Sequence, residues 1–287
     1  MSRPNSENME KKDRLIFVSN DDGYQARGFA AAIEVAREFG EVIAVAPLTP
    51  QSGRSQAVTM NEPLFLELQH QEQGLQIYSF SGTPVDCVKV AFDHLLGDRK
   101  VDLVVSGINH GSNASVASCY SGTLGAAAEA ALNGIPAIGV SLDTLHPDGD
   151  FSGVEQFFGE IFTKIMESLP HKHGVYYNVN FPDIPACEIK GTKVGYQGMG
   201  RWIKEYREWD LDYYAKYGIT PETLGLTSNP QIEEGEDLYM MVGEFEDDPR
   251  NSADADHRIV KDGYISIVAH NIDCTDTAEC ERLRKIF

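Results

Sequence analysis

Near its start the chain carries the stretch Leu15-Ile16-Phe17-Val18-Ser19-Asn20-Asp21-Asp22-Gly23. Its apolar half is typical of a buried parallel strand, because such strands are covered on both faces. Two adjacent carboxylates, Asp21 and Asp22, follow at the carboxyl end of that strand, which is the edge where open α/β sheets bind ligands. Neighbouring carboxylates repel each other, so the pair predicts a bound divalent cation.

Strand-like and helical segments alternate through the first two thirds of the chain. Apolar runs predict strands at 15–19, 42–46, 101–105, 137–141 and 175–180, the last as the final strand of the core. Helical patterns cover 28–39, 84–96, 123–133 and 151–168. Thr83 and Pro84 suit the N-cap and the first position of the second helix. This alternation predicts an α/β fold with a mostly parallel sheet.

The domain organisation follows from a change of character near residue 185. We expect residues 1–13 to form a flexible tail and 14–185 to form the catalytic core. Residues 186–287 form a C-terminal extension in this interpretation, with hairpins and acidic loops, a closing strand at 264–268 and a short charged helix at 277–287.

Composition excludes several classes of function. The formal net charge is −20, from 24 basic and 44 acidic residues, which disfavours binding to nucleic acid and to anionic membranes. No apolar run reaches the roughly 18 residues that a membrane span needs. The five cysteines are odd in number and have no CxxC spacing, and the first 14 residues lack the apolar core of a secretory signal. These features predict a cytoplasmic protein.

Three polar loops are predicted to meet at one edge of the sheet: residues 20–23, 51–55 and 106–113. Each contains glycine and follows a predicted strand or the turn after it. Hard cations such as Mg²⁺ and Mn²⁺ prefer oxygen ligands, with water completing an octahedron. The oxygen donors that suit such an ion are Asp21, Asp22, Ser52 and Asn109. Taken alone, each motif is also compatible with an ordinary turn.

A fourth loop, Tyr120-Ser121-Gly122-Thr123, directly precedes an alanine-rich helix. Backbone N–H groups at a helix start have no partner within the helix, so they form a ready site for a phosphate. Ser121 or Thr123 could also simply cap the helix, and the two roles are compatible.

Together these motifs resemble the survival protein SurE family of metal-dependent nucleoside-monophosphate phosphatases. The resemblance rests on motifs in the same order at residues 18–23, 45–47, 51–53, 82–88, 104–113, 120–123 and 178–182. Asp254-Ala255-Asp256 and residues 263–267 are similar to the closing segment of that family. One departure is Ala114-Ser115, where the family usually has a second glycine after the Gly-x-Asn loop.

The resemblance implies a Rossmann-like, three-layer core. It also implies a C-terminal β-hairpin arm and a helix that are exchanged between the subunits of a homodimer, sometimes assembled into tetramers. The implied reaction is hydrolysis of nucleoside 5′- and 3′-monophosphates by a water that one divalent ion per subunit activates, with Asp21 or Asp22 as catalytic groups. The implied metal ligands are again Asp21, Asp22, Ser52 and Asn109. The expected phosphate and substrate contacts are Asn20, Ser106, Gly107, Ser121, Gly122 and Thr123.

Two other functions compete with this interpretation. A non-catalytic, metal-dependent sensor of nucleotide or phosphate could use the same ion and helix start. A dinucleotide oxidoreductase is disfavoured, because the first turn lacks the G-x-G-x-x-G fingerprint and places carboxylates where a pyrophosphate would bind. His110 and His257 are the histidines closest to the motifs and are candidates for a general acid, outside the main set of site residues.

Overall fold

The computed structural model describes residues 14–144, 146, 148–168, 171–215, 220 and 230–287. The predicted tail 1–13 therefore lies outside the described residues. The chain divides into two compact units, one of Met1–Gly198 with Ser252–Phe287 and one of Met199–Asn251. The predicted domain boundary at residue 185 stays a prediction. None of the helices in the described ranges combines the length and the apolar character needed to cross a bilayer.

The elements are numbered in chain order. The strands are β1 (Leu15–Ser19), β2 (Glu41–Pro47), β3 (Leu66–Glu72), β4 (Leu75–Phe80), β5 (Leu103–His110), β6 (Ala137–Asp143), β7 (Val175–Pro182), β8 (Thr192–Val194), β9 (Gly200–Ile203), β10 (Tyr206–Glu208), β11 (Tyr239–Met241), β12 (Glu244–Asp247) and β13 (Ile265–Asn271). The helices are α1 (Arg27–Arg37), α2 (Pro84–Val90), α3 (Gly122–Leu132), α4 (Ser152–Glu167), α5 (Leu211–Ala215), α6 (Asp256–Lys261) and α7 (Thr277–Arg284).

A nine-stranded sheet in the order β3-β4-β2-β1-β5-β6-β7-β13-β8 forms the centre of the first unit. The strands from β4 to β7 are parallel, and antiparallel pairs join β3 to β4 and β7 to β13. The α/β fold with a mostly parallel sheet is thus confirmed. The prediction that 175–180 is the final core strand is wrong, because β13 pairs with β7 and β8 extends the sheet beyond it.

Alternating side chains of β1 supply both faces of the sheet. Ile16 and Val18 pack into a cluster with α1 and α4, whereas Leu15 and Phe17 pack into a second cluster with α2 and α3. Phe162 of α4 stacks on Phe39, which follows α1, with 4.2 Å between the ring centroids. Both faces of the sheet are therefore buried by helices, as the continuous apolar strand runs predict.

Strand β5 extends further than the sequence predicts. The apolar run ends at Val105, yet β5 continues to His110, so the predicted loop residues from Ser106 to Asn109 lie within the strand. The pairing with β6 shifts register between Ser106 and Asn109. Gly107 has φ +137° and a Cβ there would lie 2.3 Å from the Val140 carbonyl oxygen, so only glycine fits.

Helix α2 begins as predicted and changes its winding later. The Thr83 side chain accepts a hydrogen bond from the Asp86 N–H, and the Asp86 carboxylate accepts one from the Thr83 N–H. This reciprocal capping box fixes the helix start. After Val90 the chain continues as a π-helical turn, Ala91–Leu95, within the predicted helical range.

The second unit consists of hairpins. β9 pairs with β12 and β10 pairs with β11, all antiparallel. Trp202 and Phe245 oppose each other in the first ladder, with ring centroids 5.6 Å apart. Trp209 stacks on Tyr214 at 5.2 Å. Aromatic pairs of this kind stabilise small sheets that have little other core, in line with the predicted hairpins.

Candidate functional site

Asp21 and Asp22 lie directly after β1, at the carboxyl edge of the parallel sheet. Asp21 is 3% exposed, and its carboxylate abuts the first turn of α3. A Cβ at Gly122 would lie 2.9 Å from the Asp21 Cβ. The Thr123 hydroxyl donates a hydrogen bond of 2.5 Å to Asp21 Oδ1. The start of α3 therefore holds the Asp21 side chain in place.

The two carboxylates are poorly accommodated as charged groups. Burial raises the pKa of Asp21 to about 7, with repulsion from Asp22 as the second cause and the Thr123 hydrogen bond opposing both. Burial also raises the pKa of Asp22, against the hydrogen bond from the His110 N–H. A cation between the two side chains would remove this penalty.

Hydrogen bonds connect the other two predicted metal-binding segments to this pair. The Gln51 N–H donates to the Asp21 carbonyl oxygen at 2.7 Å, which holds the loop that carries Ser52. The His110 N–H donates to Asp22 Oδ2 at 2.9 Å, directly after Asn109. The segments that supply all four predicted ligands are therefore joined around Asp21 and Asp22.

The donor set fits a hard cation. The Asn109 amide nitrogen donates to the Gly111 carbonyl at 2.7 Å, so its side-chain carbonyl oxygen is the atom available to a ligand. Ser52 is exposed on its loop. In the described part of the chain no three His, Cys, Asp or Glu side chains are grouped to hold a metal. An ion here would therefore depend on hydroxyl, amide and water oxygens besides the two carboxylates, as Mg²⁺ and Mn²⁺ do.

The start of α3 has the geometry predicted for a phosphate site. Ser121 is the N-cap, and its hydroxyl accepts a hydrogen bond from the Leu124 N–H at 3.1 Å. The hydroxyl of Thr123 and its backbone N–H both act on Asp21 and lower its pKa, so the Gly122 N–H is the donor of this turn left for a phosphate. Capping by Ser121 is thus present, and the first turn of α3 lies against the Asp21 side chain.

Two further predicted contacts lie beside the carboxylates and carry unpaired polar atoms. Asn20 follows Ser19, which is paired with Ser106 in the sheet. Asn20 Nδ2 donates to the Gly23 carbonyl at 3.0 Å. Among the described residues, Asn20 Oδ1 and Ser106 Oγ are buried and have no protein hydrogen-bond partner. Buried polar groups are normally paired, so these two atoms indicate a ligand or water at this point.

The two histidines lie in different surroundings. His110 is exposed, and its contact with the site is the backbone N–H that binds Asp22. His257 lies next to Asp256, with 3.5 Å between Nδ1 and Oδ1. Neither ring is shown in contact with Asp21 or Asp22, so a role as general acid stays a hypothesis for both.

A buried group of asparagines was not assigned a role from the sequence. Asn180 Oδ1 accepts a hydrogen bond from the Asn113 N–H at 2.9 Å, and Asn178 Nδ2 donates to the Asn113 carbonyl at 2.8 Å. Asn113 Nδ2 donates to the Ser141 hydroxyl at 2.8 Å. This network anchors the segment between β5 and α3 to β6 and β7. The sequence feature that could have indicated this network is the pair Asn178 and Asn180, which lie two residues apart on one face of a buried strand.

Comparisons with known proteins identify the family of the chain. A family model described as "Survival protein SurE" matches residues 16–204. The chain is 41% identical over 261 residues to a protein of Cytophaga hutchinsonii named 5′-nucleotidase SurE, covering 91% of this chain and 92% of the relative. It is 40% identical over 275 residues to a protein of the same name from Christiangramia forsetii, covering 93% and 94%.

A solved structure extends the likeness to three dimensions. The crystal structure of the SurE protein from Aquifex aeolicus superposes with a TM-score of 0.74 at 27% identity, covering 95% of this chain and 99% of that one. The family match covers well over half of the chain and includes every predicted metal ligand. The chain belongs to the SurE family.

Proposed function

We propose that this chain is a divalent-metal-dependent phosphatase that hydrolyses nucleoside 5′- and 3′-monophosphates to nucleoside and phosphate. The observation that carries the proposal is the pair of carboxylates after β1, of which Asp21 is buried against the start of α3. Hydrogen bonds join the pair to the segments of Ser52 and Asn109. Relatives about 40% identical over more than nine tenths of the chain are named 5′-nucleotidases.

The residues that would hold the ion are Asp21, Asp22, Ser52 and Asn109. Mg²⁺ or Mn²⁺ suits them, because the set offers only oxygen donors. When bound, such an ion polarises a phosphate oxygen and lowers the pKa of an attacking water.

The protein's own groups would bind the phosphate and accept a proton. The N–H of Gly122 at the positive end of α3 would stabilise charge on the phosphate oxygens, and Thr123 would complete this turn while it holds Asp21. The hydroxyl of Ser106 and the amide of Asn20 are buried polar groups with unused hydrogen-bonding capacity near the end of β1. Gly107 lets the backbone of β5 approach β6 closely, and Ser121 caps the first turn of α3.

One of the two carboxylates accepts the proton of the attacking water. Asp21 already has a raised pKa of about 7 and receives a hydrogen bond from Thr123. Asp22 is held by the His110 N–H, so each carboxylate is oriented by a donor from a different element. Direct attack by water requires no covalent phosphoenzyme.

The proposal includes self-association and a cytoplasmic location. Among the residues of α7 none is buried in the chain, and a homodimer or tetramer would give this helix a packing surface. The reducing compartment inferred from the cysteines is consistent with five free thiols in the structure.

The experiment is phosphate release from a panel of nucleoside 5′- and 3′-monophosphates, with Mg²⁺, Mn²⁺ or EDTA. We compare the wild type with Asp22→Asn, which keeps an oxygen for the His110 N–H but loses the charge. The exposed Asp93→Asn is the matched control. We expect metal-dependent release that falls about 100-fold or more in Asp22→Asn and is unchanged in Asp93→Asn.

Two outcomes would contradict the proposal. Metal-dependent binding of nucleotide without release of phosphate by the wild type would indicate the non-catalytic sensor instead. Equal release by Asp22→Asn and the wild type would place the reaction away from the two carboxylates.

A further inference from the structure

Outside the site, a fully buried carboxylate receives several hydrogen bonds from the backbone. Asp256, the first residue of α6, has no exposed surface. Its Oδ2 accepts from the Ser115 N–H at 2.9 Å. Its Oδ1 accepts from the N–H groups of Gly198 and His257, both at 2.9 Å. Charge-assisted bonds of this kind are stronger than neutral ones, so the carboxylate fixes segments that are distant in sequence.

Ser115 is held in a conformation that it would not adopt readily by itself. Its φ is +55°, in the left-handed region that disfavours residues with a Cβ. The Ser115 N–H donates to Asp256, and the Ser115 hydroxyl donates to the Gly198 carbonyl at 2.8 Å. Ser115 and Gly198 are thus clamped to each other both directly and through the Asp256 carboxylate.

We call Ser115, Gly198 and Asp256 the clamp. It lies at the start of the segment that leads to α3. A 3₁₀ helix, Ser115–Tyr120, leads from the clamp directly to Ser121, the N-cap of α3. The Ser118 hydroxyl closes its first turn on the Ser115 carbonyl at 2.7 Å. At the far end, Ser55 binds the carbonyls of Cys119 and Tyr120. One short helix, anchored at its far end by Ser55, therefore connects residue 115 to the first turn of α3.

We propose that Asp256 is a positioning residue for phosphate binding: by holding Ser115 in its left-handed conformation, it places the first turn of α3, with the Gly122 N–H, beside Asp21. This rests on the proposed function. Of the proposed metal ligands, Asp22, Ser52 and Asn109 lie on segments outside α3, and Asp21 alone is held by Thr123. The clamp therefore acts on phosphate binding more than on the ion.

The test compares Asp256→Asn with Asp254→Asn, an exposed carboxylate two residues away. In Asp256→Asn one oxygen becomes an NH₂ group, which faces a backbone N–H and cannot accept its hydrogen bond. We expect inhibition by inorganic phosphate to weaken and kcat/KM to fall, each by about 10- to 100-fold. The rise in melting temperature that Mn²⁺ induces should largely remain, because Asp22, Ser52 and Asn109 lie outside α3. Asp254→Asn changes neither quantity.

A second substitution distinguishes positioning from general loss of stability. Glycine adopts a φ of +55° without strain but lacks the hydroxyl that binds Gly198. Asp256→Asn/Ser115→Gly should therefore recover part of the phosphate inhibition and of kcat/KM relative to Asp256→Asn. The double variant also serves if the single one does not fold. Failure of Ser115→Gly to recover either quantity, or wild-type phosphate inhibition in Asp256→Asn, overturns the proposal.

Amide hydrogen exchange separates this proposal from the proposed function. We expect residues 115–123 to exchange faster in Asp256→Asn than in Asp254→Asn, with and without substrate. If the wild type releases no phosphate but this difference in exchange is present, the proposed function fails and the clamp stands. If exchange in this segment is equal in both variants, the clamp fails whatever the activity.

Discussion

A single missing methyl group at Gly122 leaves room for the Asp21 carboxylate. A Cβ at this position would lie 2.9 Å from the Asp21 Cβ and 3.0 Å from its Oδ2. Alanine is otherwise well suited to the first turn of a helix. We therefore expect Gly122→Ala to displace Asp21 and to lower kcat/KM by about 100-fold, because small displacements of a catalytic group have large kinetic effects. Steady-state kinetics at saturating Mn²⁺ measure this loss.

The matched control for that substitution is Gly159→Ala in α4. A Cβ there would meet only the Phe39 ring, at an ordinary 3.7 Å. We expect unchanged activity and a free energy of unfolding raised by about 0.5–1 kcal/mol, since alanine is the better helix former. Wild-type activity in Gly122→Ala would show that Asp21 has room to move without consequence.

The charge of Asp21 itself is expected to reduce the stability of the metal-free protein. The carboxylate is buried and next to Asp22. Asp21→Asn removes the charge and keeps an acceptor for the Thr123 hydroxyl, so in EDTA at pH 8 it should raise the free energy of unfolding by about 0.5–2 kcal/mol. Addition of Mn²⁺ should stabilise the wild type and have no effect on this variant. Urea unfolding with and without Mn²⁺ tests both statements, and a less stable variant in EDTA would refute the first.

The sequence predicts some of these residues far better than others. Asp21 and Asp22 were recognisable because two adjacent carboxylates follow an apolar strand at the edge where open α/β sheets bind ligands, together with other polar loops. Asp256 gave no comparable signal, because its role depends on the N–H groups of Ser115 and Gly198, which only the folded chain brings to it. The hydrogen bond from Thr123 to Asp21 is likewise a tertiary contact across 102 positions.

At the scale of elements, the start of α3 serves the helix and the site together. The Ser121 hydroxyl accepts from the Leu124 N–H, so Ser121→Ala should lower the free energy of unfolding by about 1 kcal/mol. It should also weaken inhibition by inorganic phosphate, because the first turn frays. The control is Asp276→Ala, which removes the N-cap of the exposed helix α7. Loss of phosphate inhibition in the control as well would contradict a specific role for α3.

Strand β13 carries a group that makes stability depend on pH. His270 stacks on Tyr176, with 5.4 Å between the ring centroids. Burial lowers the pKa of His270 below its usual 6.5, and the charge of Asp256 opposes this shift. Below about pH 6.5 the unfolded chain binds a proton that the folded strand resists, so the free energy of unfolding should fall as the pH decreases.

Urea unfolding between pH 5 and 8 measures this dependence. His270→Gln should reduce the loss of stability at low pH, whereas His94→Gln, at an exposed position, should leave it as in the wild type. Equal pH profiles for the wild type and His270→Gln would exclude His270 as the source.

Elements with a strong local signal were predicted closely, and those without one were not. The run Leu15–Ser19 has the bounds of β1, and Thr83 caps α2 as expected. By contrast, β3 has no buried residue, so its sequence has no apolar face that alternation of polar and apolar residues would reveal. The pairing of β13 with β7 joins residues about 90 positions apart in antiparallel order, which local periodicity does not encode.

At the scale of the whole molecule, the C-terminal helix finds no burying surface among the described residues of its own chain. None of the residues of α7 is buried, and its eight residues are too few for a stable isolated helix. Leu283, Ile286 and Phe287 are 37%, 62% and 100% exposed. Contacts from a second copy of the chain would stabilise this segment, as the exchange of C-terminal elements implied by the family resemblance requires.

Deletion of residues 273–287 tests whether this segment joins subunits. If α7 packs on a second copy, the full chain is a dimer or tetramer by light scattering and the truncated chain has a smaller mass. The loss should also make the melting temperature less dependent on protein concentration, because association stabilises the folded state by mass action. Deletion of residues 1–13 is the control and should leave the number of subunits in the assembly unchanged. A full-length monomer, or an unchanged assembly after removal of α7, would show that the helix has no role in association.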